Sequence, residues 1–282
     1  MSQPPHPTTP PDWQRPRGVA AGTWRYVHQR TIARHYDDFV ADTPLCELDR
    51  RYVLDTLATL SVRVSAIEST NSINSKPLVL DLGAGTGRLA QPISRQGFDV
   101  LAVDLSQPML EQLLQNIASA DNDDTKAGTV MPMRANLVQL DALADGIADH
   151  AVCMFSTLGM VQGRANRIQF LCHIARAVRP GGCLILHVHR RWAALRESGG
   201  WTRLLRSWFD SLCNREAEFG DATYAYRGLE NMFMHRFSEK EIRSELSAAG
   251  WTVERIDRVG IDGSDLVKSA WEASGLFVVC RR

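Results

Sequence analysis

A chain of 282 residues with 44% hydrophobic side chains can bury a sizeable core, as one large domain or two small ones. Basic and acidic residues number 32 each, so the formal charge is zero and no global field favours nucleic acid or an anionic membrane. The six cysteines form no CxxC pair, and several stand in apolar runs, such as Cys153 in AVCMF and Cys183 in GGCLIL; they read as small buried hydrophobes, and Cys and His show no metal-ligand spacing.

No apolar run reaches ~18 residues and the N-terminus lacks a signal-peptide pattern, so the expectation is a cytoplasmic protein without a membrane span. The opening MSQPPHPTTPPDWQRPRG holds six of the twelve prolines and little to bury, which predicts a disordered tail over 1–22. From Thr23 the sequence TWRYVHQRTIARHYDDFV turns aromatic and helical. A second helix is predicted at DTPLCEL, capped by Thr43, with Pro44 at its first position. Val53, Leu57, Leu60, Val64 and Ile67 then mark an amphipathic stripe, and STNSINSK is a polar connector. Residues 23–76 thus read as a helical lid segment ahead of a main domain over 77–282.

Strands and helices alternate after Pro77. LVLDL, FDVLAVDL, TVMPMRAN, HAVCMFST and CLILHVH read as strands, Pro132 making the third an edge or bulged strand. GRLAQPISRQG reads as a helix that starts late or kinks at Pro92 and stops at Gly97; SQPMLEQLLQNIASA is a helix capped by Ser106. RANRIQFLCHIARAVRPGG is a helix stopped by Pro180, Gly181 and Gly182. FSEKEIRSELSAAG carries a capping box, Ser238 with Glu241, and ends at Gly250. WTVERIDRV and GLFVVCRR are the last strands. The predicted fold is α/β: a doubly wound, mostly parallel, seven-stranded Rossmann-like sheet with helices on both faces. The rhythm breaks over 190–235, which holds Trp192, Trp201 and Trp208 and several arginines, and reads as an insert.

The first strand runs into Gly83-x-Gly85-x-Gly87, where backbone can approach a nucleotide-like ligand closely at a helix N-terminus. Asp104 ends the next strand, where an acid accepts from ribose hydroxyls. Asp81, two residues before Gly83, would repel a pyrophosphate, and the spacing departs from G-x-G-x-x-G. Both features argue against a nicotinamide oxidoreductase. A ligand with a ribose, no phosphate and a cationic amino-acid end fits both aspartates, and S-adenosylmethionine has that chemistry.

VLDLGAGTGRLA, with VLAVDLSQPML and ARAVRPGGCLIL, resembles the class I S-adenosylmethionine-dependent methyltransferases, most closely the small-molecule branch labelled methyltransferase type 11 or 25. The resemblance covers roughly Pro77–His189 and specifies cofactor and fold, not substrate. It implies that Asp81, Gly83, Ala84, Gly85 and Gly87 hold the methionine part and that Asp104 binds the ribose. It places Leu105, with Met109, on adenine. Asn136 stands where the family often has Asp at the adenine amino group, with Leu137 covering the ring. Phe155, Ser156 and Thr157 would lie near the methyl group, and Tyr36 would close over the cofactor. The insert would cover the substrate, its tryptophans lining a pocket or burying a small core of their own.

Methyl transfer is an in-line displacement that orientation alone can largely accelerate, so no catalytic residue is assigned. His187, His189 and His235 are candidates for a general base should the acceptor need one. A small-molecule acceptor is expected, with no nucleic-acid partner. The alternatives are an RNA- or tRNA-directed methyltransferase, disfavoured because MFSTLG lacks the Asn/Asp-Pro-Pro-aromatic signature, and a non-catalytic cofactor-binding partner subunit, disfavoured by the intact glycine loop.

Overall fold

The run Leu78–Leu82 (LVLDL) is buried from its second residue on, which fits a strand covered on both faces. In the computed structural model, which describes residues 9–67, 76–119 and 127–282, this strand is β1. It is followed in chain order by β2 (Asp99–Asp104), β3 (Val130–Arg134), β4 (Ala148–Cys153), β5 (Val178–His189), β6 (Asp221–Tyr226), β7 (Leu229–His235), β8 (Thr252–Gly260), β9 (Leu266–Val267) and β10 (Ala273–Arg281). Eight of these strands form one sheet in the order β3-β2-β1-β4-β5-β10-β8-β9. The strands from β3 to β5 are mutually parallel, and β10 runs antiparallel between β5 and β8. Pro132 lies in β3 at the sheet edge, where a missing donor costs least.

The doubly wound, mostly parallel sheet is as expected, but its strand count is not seven. The two-residue β9 is too short to leave a periodic signal and adds an eighth strand. The insert adds a separate hairpin, β6 with β7, turned at Arg227 and Gly228, both with positive φ (47° and 81°) as a tight hairpin turn requires.

The helices, in chain order, are α1 (Ala21–Tyr26), α2 (Arg30–Arg34), α3 (Tyr36–Val40), α4 (Pro44–Ile67), α5 (Ala90–Arg95), α6 (Gln107–Ser119), α7 (Arg164–Ala177), α8 (Gly200–Cys213) and α9 (Glu239–Ala248). Alternate residues of β1 feed opposite faces of the sheet. Leu80 and Leu82 pack with Phe170, Leu171 and Ile174 of α7 and with Ile242 and Leu246 of α9. Val79 packs with Val53, Leu57 and Leu60 of α4, Ile93 of α5 and Leu113 of α6. The expected stripe of α4 is buried as far as Leu60; the side chains of Val64 and Ile67, and the connector up to residue 75, lie outside the described residues.

Three local expectations are corrected. The stretch Thr23–Val40 is three short helices, not one, because its backbone is used elsewhere: the Val27 carbonyl accepts from the Ser106 hydroxyl at 2.7 Å. Helix α7 stops at Ala177, and Pro180, Gly181 and Gly182 lie inside β5. Residues 9–22 lie against the domain, where the composition predicted a tail. The indole of Trp24 donates to the Pro10 carbonyl at 2.9 Å, Val19 bridges to Val161, and Val19 and Ala20 are buried.

The expected capping box is present, with Glu241 N donating to Ser238 Oγ and Ser238 N to the Glu241 carboxylate, each at 3.2 Å. Behind it lies a buried charge network. Arg167, fully buried, donates to both oxygens of fully buried Glu245 at 3.1 and 2.7 Å and to Glu218 at 2.7 Å. His235 is held between Asp221 (2.6 Å) and Glu241 (3.1 Å), and these carboxylates raise its pKa against the opposing effect of burial. Glu218, His235 and Glu241 lie close enough to share a cation, but Arg167 and Arg191 already bond the two glutamates, so the cluster is an ion-pair network.

Candidate functional site

The chain leaves β1 toward β2 on one side of it and returns to β4 on the other, so the loops after β1 and β4 diverge at a switch point. A cavity lies there, about 1060 Å³ with the open solvent at its mouth included. Its wall includes Asp81, Gly83, Ala84 and Gly85 from the β1 loop, Asp104, Leu105 and Met109 after β2, Asn136 and Leu137 after β3, and Phe155 after β4. These ten residues, all singled out from the sequence, thus share one space.

Asp81 is buried, and one carboxylate oxygen has no hydrogen-bond partner. Burial pushes its pKa up to about 7; Arg88 is the largest opposing influence, while Asp104 and Asp49 add to the rise. Asp104 is half-buried and accepts from Gly85 N at 2.8 Å and Ser106 N at 2.7 Å, one bond to each oxygen. Its pKa is also raised by burial, against the pull of these backbone donors. Each oxygen keeps a further lone pair, so the carboxylate can take two hydroxyl donors.

Gly85 has φ of 55°, and a side chain there would meet no protein atom within 4 Å: its Cα faces open cavity. Gly87 does not line the cavity. A Cβ there would fall 2.9 Å from the Leu113 side chain, so this glycine lets the loop pack against α6. Ser156 does not line it either. It is fully buried with φ of 62°, its hydroxyl accepts from His189 N at 3.1 Å, and it follows Phe155, itself at φ of 53°. Two successive left-handed non-glycine residues store strain at the carboxyl end of β4, beside the cavity.

Asn136 lines the cavity and also caps a turn. Its amide donates to the Arg17 carbonyl and to Gln139 Oε1, each at 3.0 Å, and its oxygen accepts from Val138 N at 3.2 Å. Thr157 and Tyr36 also line the cavity. The sequence reading missed Val19, Thr23 and Tyr26, which close the cavity from the N-terminal side, and Thr23 Oγ1 is buried there without a partner. The only signal for them was the aromatic cluster from Trp24 to Tyr26, and it lay at a tail boundary drawn from proline content. Arg88 was missed as well, although it stands inside the glycine motif.

The histidines stand apart from the cavity wall. His187 is fully buried against Phe277 and His189, both ring nitrogens lack partners, and burial holds its pKa well below the usual value. Burial lowers His189 to about 4. Burial raises the pKa of the phenols of Tyr26 and Tyr36, so both stay neutral and can donate hydrogen bonds.

The insert's tryptophans neither line this cavity nor form a core of their own. Trp192, Trp201 and Trp208 are 42%, 62% and 50% exposed, the last two on an outward stripe of α8 with Leu205 and Leu212. What the insert does place near the cavity is its hairpin: Tyr226 packs edge-on against Tyr26 at 6.1 Å.

Residues 79–182 match a family model described as a methyltransferase domain. A putative methyltransferase, YqeM, of Bacillus subtilis (strain 168) is 25% identical over 118 residues, 42% of this chain and 44% of that protein. A ubiquinone biosynthesis O-methyltransferase of Caulobacter sp. (strain K31) is 34% identical over 109 residues, 38% of this chain and 39% of that protein. The chain thus spans less than half the length of these curated relatives. Among solved structures, a SAM-dependent methyltransferase from Methanosarcina mazei has a TM-score of 0.61 at 17% identity, covering 74% of this chain and 94% of that one. A 1,6-didemethyltoxoflavin-N1-methyltransferase of Burkholderia thailandensis, solved with its substrate and S-adenosylhomocysteine, has a TM-score of 0.56 at 18% identity, covering 94% and 91%. Residues 79–182 thus match a methyltransferase domain, and the chain shares its fold with solved S-adenosylmethionine-dependent methyltransferases.

Proposed function

We propose that this protein transfers a methyl group from S-adenosylmethionine to a small-molecule acceptor, with the switch-point cavity as its cofactor site. The observation that carries this reading is the placement of Asp81 and Asp104 on one cavity across a glycine loop, Asp81 with an unpartnered oxygen. The residues present fit the group. Asp104 has lone pairs for both ribose hydroxyls. Leu105, Met109 and Leu137 offer apolar surface for adenine, and the Asn136 oxygen has a lone pair for its amino group. The free oxygen of Asp81, with the backbone of Gly83, Ala84 and Gly85, suits the cationic amino-acid end. Phe155 and Thr157 lie on the side expected for the methyl group.

When bound, the cofactor supplies an electrophilic methyl group on a sulfonium. The chain's part is to bind, orient and exclude water. The titratable residues lining the cavity are Asp81, Asp104, Arg88, Tyr26 and Tyr36, and the histidines raised as candidate bases are elsewhere. Catalysis therefore rests on orientation rather than on a dedicated histidine base. We assign the acceptor wall to the segment around α1 and Tyr36, backed by the hairpin of the insert. The relatives' printed activities concern an oxygen acceptor in one case and a nitrogen in the other, so the acceptor atom is not carried over. The balanced charge and the lack of a nucleic-acid motif favour a metabolite over RNA. The six unpaired cysteines favour a cytoplasmic setting, and no helix among the described residues is long and apolar enough to cross a membrane.

Calorimetric titration with S-adenosylmethionine, S-adenosylhomocysteine and NADH, followed by transfer of labelled methyl groups into a metabolite extract, tests the reading. Binding of the first two compounds and label in small molecules is the expected result. Binding of NADH alone, or label recovered only in RNA, contradicts it.

Gly85→Val provides a local check. The substitution forces a β-branched residue into a left-handed conformation, at about 1–2 kcal/mol of stability, and points its methyls into the cavity. S-adenosylhomocysteine binding should fall at least ~10-fold, about 1.4 kcal/mol, while the circular dichroism spectrum stays native.

A further inference from the structure

The residues on either side of Gly87 leave the glycine loop and grip the N-terminal helices. Thr86, buried, donates from Oγ1 to Asp37 Oδ1 of α3 at 2.5 Å. Asn116 of α6 braces this contact, donating to Asp37 Oδ2 at 2.8 Å and to the Thr86 carbonyl at 3.1 Å. Arg88 reaches α4: its two terminal nitrogens donate to the two oxygens of Asp49 at 2.6 and 2.9 Å, and one also donates to the Cys46 carbonyl at 2.9 Å. Asp49 is fully buried. Arg88 also lines the cofactor cavity, its guanidinium 5.5 Å from the centre of the Phe155 ring.

Such bidentate pairs are fixed in geometry, yet a buried ion pair is weak evidence for a gain in stability. Its position is therefore informative. The charged groups facing Asp81 are Arg88, Asp104 and Asp49, with the Cys153 thiol as a further titratable neighbour. Arg88 is the cation in this set.

We propose that Arg88 is a positioning residue for the cofactor: clamped on Asp49, it ties the glycine loop to the N-terminal helices and supplies the counter-charge to Asp81. This rests on the reading that Asp81 receives the cationic end of the cofactor. A merely structural clamp and an electrostatic one differ in pH dependence. Asp81 must be ionised to hold an ammonium, so affinity is present above its pKa and is lost as pH falls through it. Burial has already moved that pKa to about 7, so the loss falls in an accessible range.

The test measures S-adenosylhomocysteine affinity from about pH 5 to pH 9, spanning the range where a perturbed carboxylate titrates. Arg88→Gln removes the counter-charge, and the midpoint for loss of affinity should move up by about 1 pH unit. Asp49→Asn leaves Arg88 unneutralised and removes a repelling carboxylate, so the midpoint should move down. Arg88→Lys keeps the charge without the fork: affinity drops at every pH while the midpoint stays near the wild-type value. If any of these variants fails to fold, as judged by circular dichroism, the remaining ones still decide, since each has its own predicted sign. Equal loss at all pH values with unmoved midpoints in Arg88→Gln or Asp49→Asn overturns the proposal. Wild-type protein that binds S-adenosylhomocysteine at no pH would instead overturn the cofactor reading itself.

Discussion

Asp104→Ala should weaken S-adenosylhomocysteine binding roughly 100-fold or more, since two hydrogen bonds from ligand hydroxyls to a charged group are each worth about 1.5–3 kcal/mol. The substitution also leaves Gly85 N and Ser106 N without the carboxylate that now accepts from them. Part of the loss is therefore a loosened loop, and the variant alone does not separate the two effects. A ligand change does. Removing the ribose 2′-hydroxyl should cost the wild type about 10-fold and the variant almost nothing, because the partner is already gone. Asp104→Asn keeps one acceptor but turns a donor toward a donor, and should fall between the two. Calorimetry on the four combinations reads the coupling directly.

Arg167→Met should destabilise the fold more than any of the cavity substitutions. Arg167 and Glu245 are both fully buried, and Glu245 would lose its two short bonds and keep only the half-exposed Arg164 at 3.8 Å. Breaking such a pair from one side costs about 3–5 kcal/mol, and in a chain of this size each kcal/mol lowers Tm by about 2–4 °C, so a fall of roughly 10 °C is expected. The pH dependence has a definite sign. Burial already raises the Glu245 pKa, opposed chiefly by Arg167. Without Arg167 the carboxylate penalty is present at neutral pH and is relieved as pH falls and the group protonates. The Tm deficit relative to wild type should therefore shrink on acidification. Pairing the change with Glu245→Leu, which removes the stranded carboxylate, should recover most of the loss. A deficit that is small and independent of pH would mean that the network is solvent-screened.

The residues legible in the sequence were those whose chemistry is local. A glycine loop between a strand and a helix needs only adjacent positions, and Asp104 is placed by the strand it ends. These carried both the sheet and most of the cavity wall. Pro44, Ser238 and Gly250 marked helix ends for the same reason: caps and stops act through the neighbouring backbone. What was missed depended on distant partners. Arg88 sits in plain view inside the glycine motif, but its meaning comes from Asp49, 39 residues away, and from the cavity it borders. Val19 was set aside because proline content argued for a tail, yet the segment packs on Val161 and lines the cavity. Proline removes donors; it does not prevent a chain from lying against a surface that supplies the apolar contacts. His187, His189 and His235 looked like candidate bases on residue type and strand position alone. The pairing of β5 with β10 buries His187, and the partners Asp221 and Glu241 commit His235. Gly87 and Ser156 were assigned to the ligand because they lie beside residues that line the cavity; one faces Leu113 and the other the backbone of His189.

The central claim is that one cavity holds the adenosyl cofactor between Asp104 and Asp81. A crystal structure with S-adenosylhomocysteine tests it most directly. The account predicts ribose hydroxyls within hydrogen-bond distance of the Asp104 carboxylate and the amino-acid end beside Asp81 and Gly85. A ligand bound elsewhere, or one turned so that neither carboxylate meets these groups, would contradict it.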